Sequence, residues 1–276
     1  REKLAALEPG NTEWQRDLSV SHNKLGNVEM AAGNLGAARQ HYEAGLATIE
    51  KLAALEPGNT QWQRDLSVSH NKLGDVEVAA GNLGAARRHY EEGLAVAERL
   101  VALEPCNTQW QRDLSVSHNK LGDVEVATGN LGAARRHYEE GLAVREKLAA
   151  LEPGNTEWQR DLSVSHNKLG DVEMAAGNLG AARQHYEEGL AVAEKLAALE
   201  PRNTEWQRDL FISNAKLAQV AEAEGSSVQA LERFRTAETV LDRLCKEYPD
   251  HPGFARDLVR VRVDIARLEA DSDQNP

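Results

Sequence analysis

Histidine is the side chain best suited to chemistry near neutral pH, as a metal ligand or a proton carrier, and eight of the nine histidines in this chain recur at one interval. His22, His70, His118 and His166 form one row at 48-residue spacing; His41, His89, His137 and His185 form a second, and His251 stands alone. A metal site on one helix needs ligands at i and i+4, with a further ligand in phase. No i, i+4 histidine pair occurs, no carboxylate is phased with either row as a third ligand, and one cysteine is unmatched. No metal and no cofactor are therefore expected, and His70 reads as a half-buried packing residue. Any Glu, Asp and His set would exist fourfold, which is not how active sites are built, so no catalytic residue and no enzyme activity are expected.

A second group repeats with the same interval. Arg16, Arg64, Arg112, Arg160 and Arg208 form one row; Asn23, Asn71, Asn119 and Asn167 another; Asp75, Asp123 and Asp171 a third; and Met30, Val78, Val126 and Met174 an apolar fourth. Within one copy Arg64, Ser67 or Val68, Asn71, Asp75 and Val78 step by 3 or 4 and so share a helix face. Such a face offers bidentate guanidinium partners for carboxylates and amides for an extended peptide backbone.

The elements that carry these rows follow from the same period. Trp14, Trp62, Trp110, Trp158 and Trp206 are equally spaced, and Phe254 falls one period later. A period between 20 and 50 residues marks a solenoid, in which each unit buries its apolar face against its neighbours. In the unit 59–106, Trp62, Leu66, Leu73, Val76 and Ala80 draw one helical stripe, predicting helix A over 61–80. Thr60 to Gln63 reads as a capping box at its start. Gly81 supplies a left-handed residue that ends it, and Asn82 is placed to cap the next helix. Leu83, Ala86, Tyr90, Leu94, Ala97 and Leu100 then predict helix B over 83–103, stopped by Pro105. The short link forces the two helices antiparallel. Gly74 and Gly93 sit inside helices at a cost of about 1 kcal/mol each, and their recurrence points to close helix contact.

The expected organisation is one continuous domain. A partial helix B at 1–10 reproduces 145–154 and implies a piece cut from a larger protein. Five repeats follow at 11–58, 59–106, 107–154, 155–202 and 203–250, then a polar capping helix at 251–270 and a disordered tail at 271–276. The units 59–106 and 107–154 differ at five positions, so recurrence among the close copies reflects duplication and is weak testimony to function.

Net charge is -12, from 44 acidic and 32 basic side chains, with no basic stripe. Nucleic acid and anionic membrane are not expected as partners. No apolar run approaches the roughly 20 residues of a spanning helix. Cys106 and Cys245 imply no disulfide framework, which favours a reducing, cytoplasmic setting.

Leu73, Gly74, Gly81, Ala86, Tyr90, Gly93 and Pro105 together resemble the small and large pattern of the tetratricopeptide (TPR) repeat, here longer by about two turns per helix. His70 stands where that family often has Trp, and Glu77 where an aromatic is common. The stretch from Trp62 to Gly74 is also similar to arrays appended to large bacterial signalling and defence proteins. The resemblance implies an all-α, right-handed α-solenoid of antiparallel helix pairs whose A helices line a concave groove. The four rows above would then be partner contacts for a protein or peptide segment, in the recognition arm of a larger intracellular protein. The bland alternative is that Arg and Asp pair between neighbouring helices. Relatives that clamp a terminal carboxylate need Lys at the place of Asn71 and Asn at that of Asp75, so an internal or folded segment is the expected partner. The other reading is a structural spacer, or a homo-oligomer formed end to end through the terminal helices.

Overall fold

The computed structural model describes Lys3 and residues 7–274, the side chains of 272–274 excepted. From Thr12 onward the elements are α1 (Thr12–Ala31), α2 (Leu35–Leu55), α3 (Thr60–Ala79), α4 (Leu83–Leu103), α5 (Thr108–Ala127), α6 (Leu131–Leu151), α7 (Thr156–Ala175), α8 (Leu179–Leu199), α9 (Thr204–Ala223), α10 (Ser227–Glu247) and α11 (Pro252–Gln274). No strand occurs among the described residues. The architecture is all-α, with helix A and helix B alternating at the 48-residue period.

Helix B falls where expected, at Leu83–Leu103, and helix A starts one residue earlier than expected. Asn59, not Thr60, is the N-cap of α3, and its Oδ1 accepts from the Trp62 backbone N–H. Asn11, Asn155 and Asn203 do the same for Trp14, Trp158 and Trp206. Gln63 does not reach back to the cap; its amide donates to the carbonyls of Ala53 and Pro57. Asn82 also fails as a side-chain cap, because its amide donates to Glu77 instead. The turn itself follows expectation: Gly81 has φ +78, and its four counterparts are also left-handed, a conformation open to glycine without a Cβ penalty.

Contacts divide the chain within α6 into two units, residues 1–144 and 145–276. A repeat stack lacks a core common to all its members. In the first unit the paired helices run antiparallel: Gly74 of α3 meets the Tyr90 ring of α4, and farther back Asn71 meets Gly93. Tyr42 and Ala38 of α2 pack with Leu73 and Val76 of α3, and Tyr90 and Ala86 of α4 pack with Leu121 and Val124 of α5. Trp62 packs with Ile49 and Leu52, and Trp110 with Val96 and Leu100. The tryptophan thus closes each helix B against the helix A that follows.

In the second unit Tyr186 and Leu190 of α8 pack with Leu217 and Val220 of α9. Phe211, Phe234, Leu241, Phe254 and Leu258 join α9, α10 and α11 in one cluster. The expected polar cap is only partly polar, since Val259 and Val263 on α11 are 62% and 61% exposed. That helix also runs on to Gln274, where a disordered tail was expected from 271; residues 275 and 276 lie outside the described residues. Of the partial helix expected at 1–10, residues 1, 2 and 4–6 lie outside them too.

Candidate functional site

The arginine row joins neighbouring A helices. In the first unit Arg16 donates to Asp65 at 2.6 Å and Arg64 to Asp113 at 2.5 Å. In the second, Arg160 donates to Asp209 at 2.6 Å and lies 3.4 Å from Glu205. The acceptor is the aspartate beside the next arginine, not a member of the Asp75 row. Hydrogen bonding to Asp209 is the main cause that raises the Arg160 pKa. Arg64 also lies over the Trp110 ring, 5.7 Å from its centroid. Arg112 holds the equivalent position on α5 and is half-buried. Arg208 on α9 differs: it is exposed and no ion pair engages it among the described residues.

The asparagine row hydrogen-bonds to the next helix A. Asn23 donates to Ser69, Asn71 to Ser117 and Asn167 to Ser213, at 3.1, 3.3 and 3.2 Å. Asn119 is buried. The Oδ1 atoms of Asn23, Asn71 and Asn167 are sealed from solvent without a hydrogen-bond partner. These side chains fill the space left where Gly45, Gly93, Gly141 and Gly189 of helix B lack a Cβ. The helical step from Arg64 to Asn71 turns the amide off the open face and into the junction between repeats.

The aspartate row anchors helix B. Asp75 accepts from the Tyr90 hydroxyl at 2.7 Å and from Lys120 at 2.5 Å. Asp123 accepts from Tyr138 at 2.5 Å, and Asp171 from Tyr186 at 2.6 Å and from Lys216. Asn27 takes this role for Tyr42 in the first repeat. Burial, then the charge of Asp75, pushes the Tyr90 phenol well above its usual range; burial and Asp171 do the same for Tyr186. In the apolar row Val78 and Val126 are each 41% exposed, while Met30 and Met174 are half-buried.

Two hollows lie on these faces. In the first unit a pocket of about 170 Å³ is lined by Asp75, Val78, Tyr90, Lys120, Asp123 and Val124. In the second a groove of about 340 Å³ is lined by Arg208, Phe211, Ile212, Lys216, Asp257 and Val261, among others.

The histidine rows require a correction. The antiparallel pairing brings His70 of α3 to His89 of α4, with ring centroids 5.9 Å apart, and the other three pairs stand at 5.7 Å. A carboxylate is in phase with them after all: Glu92, three residues beyond His89, brings Oε2 to 3.1 Å from His70 Nδ1 and 3.6 Å from His89 Nδ1. Glu140 and Glu188 do the same in their repeats. Burial pulls the pKa values of His70, His118 and His166 down, against the opposing pull of the glutamate. His70 is buried, deeper than the half-buried packing residue expected. The signal was an i, i+3 His and Glu spacing on helix B combined with a histidine 19 residues earlier, visible only once the register of the two helices is known. Cys106 and Cys245 are both free thiols.

Residues 117–149 match the tetratricopeptide repeat family. The fold is that of a TPR-like repeat array, and one of its repeats matches the family directly. No curated protein sequence matches it. Among solved structures the chain is similar to BtubC (BKLC) from P. vanneervenii, with a TM-score of 0.69 at 16% identity over 88% of this chain and 86% of that one. It is also similar to a putative kinesin light chain of Podosopora anserina with nearly identical TPR-like repeats, at a TM-score of 0.62 and 17% identity over 85% and 98% of the two chains. The apo form of RapI gives 0.65 at 12% identity, covering 88% of this chain and 58% of that one. At these identities the likeness is one of fold. No helix among the described residues is long and apolar enough to cross a membrane.

Proposed function

We propose that the TPR array is a protein-interaction scaffold whose helix A faces hold a peptide segment or protein domain. The observation that carries this reading is Arg208. Its counterparts Arg16, Arg64 and Arg160 are engaged by aspartates of the next repeat, whereas Arg208 is exposed beside Phe211, Ile212 and Val261 in an open groove. A guanidinium beside apolar surface suits a partner segment that places a carboxylate next to a large apolar side chain. In the first unit exposed Val78 and Val126 offer an apolar contact surface of their own.

The contacts of this reading are therefore Arg208, Val78 and Val126, with the Asn23, Asn71, Asn119 and Asn167 row serving packing. Fluorescence anisotropy with a peptide set pairing Glu with Leu or Phe tests it. Binding should fall at least tenfold in Arg208→Glu and weaken with salt while helicity by circular dichroism is unchanged. Equal binding by the parent and variant chains sinks it.

A second reading, self-assembly, rests on the exposed Val259 and Val263 of α11, which offer an apolar strip to a second copy. Light scattering across concentration distinguishes it: mass that grows with concentration and is reset by Val259→Asp with Val263→Asp supports assembly, and a constant monomer mass removes it.

A further inference from the structure

Three of the histidine sets converge ligand atoms on a point. His118 Nδ1 and His137 Nδ1 are 3.4 Å apart, and Glu140 Oε2 lies 3.1 Å from the first and 3.7 Å from the second. The triangle of His166, His185 and Glu188 has the same three edges, 3.4, 3.1 and 3.7 Å. With metal–ligand bonds of about 2.0 to 2.2 Å, a tetrahedral zinc site has ligand–ligand edges near 1.63 times that length, about 3.3 to 3.6 Å. Each triangle is thus close to one face of such a tetrahedron. The third set is His70, His89 and Glu92, in which both Nδ1 atoms are sealed from solvent and make no directed hydrogen bond. Neutral imidazole nitrogens and a carboxylate oxygen are the donor set of a borderline divalent cation.

We infer that the helix pairs α3–α4, α5–α6 and α7–α8 each hold one zinc-class divalent cation on two His Nδ1 atoms and one Glu Oε2, leaving a fourth position open. The sets recur with one geometry, and the remaining two repeats depart from it in ways that fit. In the first, His22 Nδ1 and His41 Nδ1 also stand 3.4 Å apart, but Ala44 occupies the glutamate position. In the fifth, Asn214, Arg233 and Thr236 replace all three ligands, and the Arg233 guanidinium donates to Asn214 at 3.3 Å. There a fixed cation stands where the other repeats gather donors for a bound one. Histidine packing, with an Nδ1–H given to the partner Nδ1 or to the glutamate, is the rival account of the same rings. A cation would tie helix A to helix B within one pair and stabilise the fold by linkage. The glutamates are mostly exposed, so the entry path is from solvent.

Zinc titration of the chelator-treated whole chain, followed by calorimetry and by the visible spectrum of substituted cobalt, tests the assignment. The expected result is three equivalents per chain, a tetrahedral cobalt spectrum and a raised Tm. His70→Asn, His118→Asn and His166→Asn combined use the residue that stands at this position in the fifth repeat; this variant should lose all three equivalents and keep its helicity. His22→Asn should keep all three. Absence of binding, an octahedral cobalt spectrum, or three equivalents retained in the triple variant overturns it. If the triple variant does not fold, Glu92→Gln with Glu140→Gln and Glu188→Gln decides the matter: unchanged affinity overturns the assignment, and a loss of tenfold or more upholds it.

Discussion

Arg64 on one helix A donates to Asp113 on the next at 2.5 Å, across 49 residues of sequence. The pair is partly wet, with side-chain exposures of 30% and 20%. A double-mutant cycle on Arg64→Ala and Asp113→Ala should therefore return a coupling of about 0.5 to 1 kcal/mol that shrinks with added salt. A value above about 3 kcal/mol, independent of salt, would show that the pair behaves as a buried one.

Gly74 lies against the buried ring of Tyr90, which Asp75 holds through the phenol. Alanine normally gains about 1 kcal/mol over glycine inside a helix. Here the added Cβ collides with a ring that has no room to move, a cost of roughly 1 to 3 kcal/mol. Gly74→Ala is expected to lower the midpoint of thermal unfolding, whereas Gly84→Ala, with open space around it, should leave it unchanged or raise it. A raised midpoint for Gly74→Ala would contradict the packing.

Tyr42, Tyr90 and Tyr186 all have phenol pKa values raised by burial first and by aspartate second. A group whose folded pKa is raised contributes stability that is complete below its unfolded value, about 10 for a phenol, and is lost as pH climbs toward the folded value. Helicity should hold to about pH 10 and then fail, with phenolate absorbance from these rings rising in step. Phenolate appearing from them while the helices persist would refute the prediction.

Arg145 is buried, and its guanidinium donates to the Asp161 carbonyl at 3.0 Å and to Ser165 Oγ at 2.6 Å. The sister repeats carry Ala97 and Ala193 there, both buried. Truncating a buried side chain leaves a cavity and strands its hydrogen-bond partners, so Arg145→Ala should cost about 1 to 3 kcal/mol in urea titration, although alanine is native at that place in two sister repeats. A larger loss would mark the arginine as a fixture of its repeat.

The 48-residue period, the left-handed Gly81 turn and the stop at Pro105 were all legible because glycine and proline punctuate the chain by steric rules that hold regardless of context. The cap slipped by one residue because Asn59 and Thr60 are both good acceptors, and sequence alone does not rank neighbours. The fate of the Asn71 row was not legible: spacing assigned it to a helix face, but only the missing Cβ of Gly93 shows which neighbour claims it. The His70, His89 and Glu92 set was missed for a related reason, since its members belong to two helices and meet through their antiparallel register.

Each arginine and aspartate bond of the helix A faces uses adjacent residues, one given forward and one taken from behind, as in Arg16 to Asp65 and then Arg64 to Asp113. In this series each interior copy therefore gives one positive charge forward and offers one negative charge back. Adding or deleting a whole copy would leave neither an arginine nor an aspartate of this series stranded where the copies join.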